Sequence, residues 1–142
     1  MSTRRQFLGG AAAATLAGAP ALSAEPHADP ALDVIVRHQQ AYADHIASIN
    51  ATDSTEPHTD ARREANDRQM EACDREIDLA WELAATIPTT AAGIAAVLEY
   101  VNQFEIAHEE WPNIHYCVGP MSWHFKLRQS IAQASARLAS VS

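Results

Sequence analysis

Met70-Glu71-Ala72-Cys73-Asp74-Arg75-Glu76-Ile77-Asp78-Leu79-Ala80-Trp81-Glu82-Leu83-Ala84-Ala85-Thr86-Ile87-Pro88-Thr89-Thr90 is the stretch on which the fold turns. Met70, Cys73, Ile77, Ala80, Ala84 and Ile87 recur at three- and four-residue intervals with Trp81 alongside, while Glu71, Asp78 and Glu82 take the other side. That spacing describes a helix with one buried face. Pro88 ends it, because proline disfavours α geometry in the preceding residue. A threonine hydroxyl then stands ready to accept from the first amides of a new helix.

Upstream, the same helix reaches back to about Asp60, where Thr59 or Asp60 can cap it, and its outer face carries Glu64, Asp67, Arg62, Arg63, Arg68 and Arg75. Downstream, a helix is predicted from about Ala91 to Glu110, with Ile94, Val97, Leu98, Val101 and Phe104 inward. The short link between the two predicts an antiparallel hairpin. A further helix is expected at about 31–50, with Ile35, Gln39, Tyr42, Ile46 and Ile49 on one face. Another is expected at about 121–139, with Trp123, Leu127, Ile131, Ala134 and Leu138. No strand-like alternation persists. The expectation is an all-α, four-helix up-down antiparallel bundle, one domain over residues 25–142, behind an N-terminal signal segment.

The formal net charge is −8, and Lys126 is the sole lysine. Such a surface repels nucleic acid and anionic lipid, so neither is expected as a partner. Glycine-rich phosphate loops, a Gly-x-Ser-x-Gly elbow, His-Glu-x-x-His and Cys-x-x-Cys are all missing from the sequence.

Thr3-Arg4-Arg5-Gln6-Phe7-Leu8 opens a mild apolar run that closes on Leu22-Ser23-Ala24. This leader, with Arg4, Arg5, Phe7 and Leu8 as its motif, resembles the twin-arginine (Tat) export signal. The resemblance implies the Tat translocase as a partner, cleavage after Ala24 and a periplasmic or secreted protein. Gly9, Gly10, Gly18 and Pro20 dilute the run, so no stable membrane anchor is expected after cleavage. The alternative is a cytoplasmic protein with an unprocessed leader. Ile87 to Tyr100, together with the Arg-Arg-x-Phe-Leu start, also resembles small bacterial proteins of uncharacterised function with such leaders. That likeness implies a helical exported protein and carries no catalytic residue.

Seven histidines are many for one small domain. His38 and His45 fall on the inward stripe of the first helix, and Glu105 and His108 continue that of the third. Polar groups on a buried face need partners, water or a metal. At about 1.5 Å rise per residue, His45, Cys73, Asp74, Glu105 and His124 stand at similar heights in a bundle with flush ends. Glu105 and His108 have the Glu-x-x-His spacing of carboxylate-bridged metal bundles, but the second such motif is missing. A mononuclear zinc or iron site from His45, Glu105, His108, His115 and His124 is the sharper reading, with Cys73 and Cys117 as alternate ligands. A hydrogen-bonded polar layer with no cofactor is the plainer one, and it is favoured.

Cys73 and Cys117 can pair in an oxidising compartment, or Cys73 can serve as a small core hydrophobe. Trp111, Tyr116 and Trp123 cluster around the last loop, either capping the core or offering a surface to a protein or small-molecule partner. The sequence as a whole favours a non-enzymatic binding or interaction module, with a metal-binding protein or metalloenzyme as the alternative.

Overall fold

The computed structural model describes residues 28–107, 109–112 and 119–141. The leader motif Arg4, Arg5, Phe7 and Leu8 lies outside these residues, as do His108, His115, Tyr116 and Cys117. Four helices follow in order: α1 Pro30–Asp53, α2 Asp60–Ala85, α3 Ala91–Ile106 and α4 Trp123–Val141. No helix among the described residues is long and apolar enough to cross a membrane.

Each helix starts at a side-chain cap. Thr59 accepts from the Arg62 amide at 3.1 Å and Thr90 from the Gly93 amide at 2.9 Å. Ser122 accepts from the Phe125 amide at 3.2 Å. Asp29 caps α1 through the Ala31 amide at 3.0 Å, with Pro30 in the first turn, where its missing N–H costs nothing. At the far end of α2, the Thr86 amide closes on the Glu82 and Leu83 carbonyls, and Pro88 is fully buried just beyond.

α1 and α2 run antiparallel over most of their length. Arg37 forks onto Glu82 near one end, His45 meets Glu76 midway, and Thr52 Oγ1 donates to the Ala65 carbonyl near the other. α3 rises beside α1 in the same direction, with His38 level with Tyr100 and Tyr42 level with Phe104. α4 returns against α2, where Trp123 Nε1 donates to the Ala80 carbonyl at 2.6 Å and Ser130 Oγ to the Ala84 carbonyl at 2.7 Å. Successive helices therefore alternate in direction. The core is Val34, Ile35, Leu83, Ala84, Val97, Val101, Phe104, Trp111, Trp123 and Leu127.

The expected α2–α3 hairpin does not form: among the described residues α2 packs on α1 and α4, and α3 on α1 and α4, so α2 and α3 are diagonal. The cause is Asp29. Its Oδ2 accepts from the amides of Thr89 at 2.9 Å and Thr90 at 2.8 Å, and from the Thr90 hydroxyl at 2.8 Å. These bonds draw the start of α3 against the start of α1 and away from α2. Burial alone would raise the Asp29 pKa, but these donors hold it below the usual 3.8.

The other differences are local. α3 stops at Ile106 rather than near Glu110. Continued as a helix, the chain would carry Trp111 about 10 Å beyond Phe104. Instead the rings lie 4.4 Å apart, and burying an indole outweighs one more helical turn. Met70 is 66% exposed and Leu98 43%; α4 begins only at the level of Ala80, so the first half of α2, with Met70, has no α4 beside it.

Candidate functional site

The upper part of the bundle is built from aromatic rings. α1 contributes His38 and Tyr42, α3 contributes Tyr100 and Phe104, and the segment after α3 folds Trp111 back over them. Trp111 stacks on Trp123 with centroids 4.2 Å apart and planes 3° from parallel. His38 lies 5.1 Å from Trp111 and 5.5 Å from Phe104. Offset and edge-on ring pairs of this kind add stability beyond the area they bury.

Polar groups are threaded through this layer in pairs. His38, only 1% exposed, shares a 2.7 Å hydrogen bond between Nδ1 and the Tyr100 hydroxyl. Burial pushes the His38 pKa down to about 4, so the imidazole is neutral at physiological pH. The Tyr42 hydroxyl donates to the Glu109 carboxylate. That bond, with burial and the neighbouring carboxylates, pushes Tyr42 up to about 12. Burial first, then the charge of Glu76, pushes Tyr100 up to about 12. His45 Nδ1 and Glu76 Oε2 stand 2.5 Å apart between α1 and α2.

A cleft of about 370 Å³ opens beside this layer, lined by His38, Glu76, Ile77, Ala80, Phe104, Glu110, Trp111 and Pro112. Its size suits a small organic molecule. Two carboxylates face it and no lysine or arginine is in its described wall. Trp111 is 4% exposed, yet its Nε1–H has no hydrogen-bond partner among the described residues. The Trp81 Nε1–H is in the same position, and a buried donor left unmade costs about 1–3 kcal/mol.

The metal candidates separate. Glu105 Oε1 and His124 Nε2 come within 3.5 Å between α3 and α4. His45 turns to Glu76 instead, because α1 and α4 are diagonal across the bundle. Among the described residues no group of three or more His, Cys, Asp or Glu side chains is placed to hold a metal ion. Cys73 is half-buried and unpaired among the described residues, which do not include Cys117, and burial with the nearby Glu76 and Asp74 raises its pKa.

Trp123 is wholly enclosed and presents no face to solvent. Trp111 is core on one side and cleft wall on the other. Glu76, Glu109, Glu110 and the His38–Tyr100 pair were not singled out from sequence. Glu76 did leave a signal, since it lies between Cys73 and Ala80 on an otherwise apolar stripe. Glu109 and Glu110 left none, because their placement depends on where α3 ends.

No protein-family model, curated protein or solved structure matches this chain. Its function has to be read from the geometry of the cleft.

Proposed function

We propose that this is an exported, non-enzymatic binding module whose ligand site is the cleft between α1, α2 and the segment after α3. The observation that carries the reading is the cleft itself, about 370 Å³ and walled by the rings of Phe104 and Trp111 with Ile77, Ala80 and Pro112. Binding is favoured because Ile77, Ala80, Phe104, Trp111 and Pro112 give the cleft a largely apolar wall, while the titratable groups nearby are tied to one another: His38 with Tyr100, His45 with Glu76, Tyr42 with Glu109.

The test is a small-molecule fragment screen by NMR on isotopically labelled protein. Shifts concentrated on His38, Glu76, Phe104 and the Trp111 indole support the cleft as the site; ligands that shift only residues elsewhere refute it. Export rests on the Tat-like leader. It predicts a mature chain beginning at Glu25 in the native host, and an intact Met1 on the mature protein would sink it.

The Glu105–His124 pair favours a second reading, metal binding. Donors about 2.1 Å from a tetrahedral zinc ion stand roughly 3.4 Å apart, close to the 3.5 Å between these two atoms. Zinc titration of the full chain and its His124→Ala variant decides it. Stoichiometric binding lost in the variant supports the reading, and equal binding by both chains removes His124 from it.

A further inference from the structure

We infer that Glu105 and His124 are half of an intermolecular zinc site, and that a second copy of this chain supplies the other half. This rests on the metal-binding reading of the pair given above and adds the partner that completes it.

The two donors are held in place by their neighbours in the chain. Glu105 is the penultimate residue of α3 and follows the buried Phe104, while His124 is the second residue of α4 and follows the wholly enclosed Trp123. The His124 ring also meets the Trp123 indole edge-on, with centroids 5.1 Å apart. Its Nε2 stands 3.5 Å from Glu105 Oε1. That is longer than the roughly 2.7–3.2 Å of a good hydrogen bond. It is close to the roughly 3.4 Å between two ligands of one tetrahedral zinc ion. The other His–Glu pair differs: His45 Nδ1 and Glu76 Oε2 are 2.5 Å apart, too close to be two ligands of one ion.

Two donors fill half a tetrahedron. Structural zinc takes four protein ligands, and no third His, Cys, Asp or Glu side chain among the described residues joins this pair. Both side chains are half-exposed, so another molecule can reach them. A copy turned about a two-fold axis through the ion brings its own Glu105 and His124. The missing half is then matched donor for donor, with one zinc ion for two chains.

Charge and apolar surface favour the same partner. A net charge of −8 sets two copies against each other. Two carboxylates and a zinc ion sum to zero, which offsets that repulsion where the copies meet. Ile106, next to Glu105, is 75% exposed, and Met121, just ahead of α4, is 61% exposed. Both lie at the end of the bundle that holds the pair, and covering them against a second copy adds apolar burial to the metal bonds.

The experiment titrates zinc chloride into the metal-free full chain, reading mass by sedimentation and zinc affinity by calorimetry. The expected result is a monomer that becomes a dimer as zinc approaches one ion for two chains, and returns to monomer on adding a chelator. His124→Ala and Glu105→Gln, both at half-exposed positions, should melt as the natural chain does, bind zinc at least ten-fold more weakly and stay monomeric. If one zinc binds per chain without dimerisation and His124→Ala loses it, the second-copy inference falls and the metal-binding reading stands. If zinc does not bind, or His124→Ala binds it and dimerises as the natural chain does, the two fall together. A dimer that persists in chelator refutes the zinc bridge.

Discussion

Gly93 sits where the start of α3 meets the Asp29 carboxylate, and substituting it gives a test with a change of sign. Alanine at an exposed helical site is worth up to about 1 kcal/mol over glycine. At Gly93 an added Cβ would fall 2.0 Å from Asp29 Oδ2 and 2.4 Å from its Cγ, far inside any real contact. The carboxylate would have to leave, and with it the bonds from the amides of Ala31, Thr89 and Thr90 and from the Thr90 hydroxyl. Hydrogen bonds to a charged acceptor contribute about 1.5–3 kcal/mol each and do not sum. A loss of roughly 3–4 kcal/mol for the set, less the helix gain, leaves Gly93→Ala about 2–3 kcal/mol destabilised.

Asp29→Ala alone should cost roughly 3 kcal/mol by the same bonds. In that background the obstruction is gone, so Gly93→Ala becomes neutral or stabilising by up to about 1 kcal/mol. Urea unfolding of the four chains, followed by far-ultraviolet circular dichroism, measures the cycle. A stabilising Gly93→Ala in the otherwise natural chain, or an equal effect in both backgrounds, would refute the account of how α3 is drawn to α1.

Three further outcomes are expected from the packing. Because the folded His38 pKa is depressed from 6.5 to about 4, the unfolded chain binds the extra proton; the neutral ring is tolerated fully above 6.5, and stability falls as pH drops toward 4. Linkage puts that loss at about 2 kcal/mol between pH 7.5 and 5, so His38→Gln should show a stability profile flatter by that amount; an unchanged slope would mean that the ring is not held neutral. Trp123→Ala removes a wholly buried indole, its stack on Trp111 and its bond to Ala80, and should cost about 3–5 kcal/mol in denaturant unfolding; a cost below about 1 kcal/mol would contradict its central place in the core. Ser130→Ala leaves the Ala84 carbonyl without its side-chain donor and should lower stability by about 1 kcal/mol, with no change in helix content.

The helices themselves were legible in the chain. Apolar spacing marked all four, and Thr59, Thr90 and Pro88 set boundaries through bonds or strain within a few residues, which local reading can see. Spacing also placed His38 and His45 on an inward face, since helical period alone decides which residues share a side. Which helices would become neighbours was beyond its reach. The short link after Ile87 suggested a hairpin, but Asp29, sixty residues away, carries α3 to α1 and leaves α2 diagonal to it.

The same cause dispersed the metal candidates, leaving Glu105 with His124 and His45 with Glu76. The end of α3 was equally set by distant contacts. No residue near Ile106 breaks a helix by its own chemistry, and the chain turns there because Trp111 gains more against Phe104 and Trp123 than from another turn. That turn places Glu110, Trp111 and Pro112 across from Glu76, so the cleft exists only once long-range burial has overruled local helix propensity.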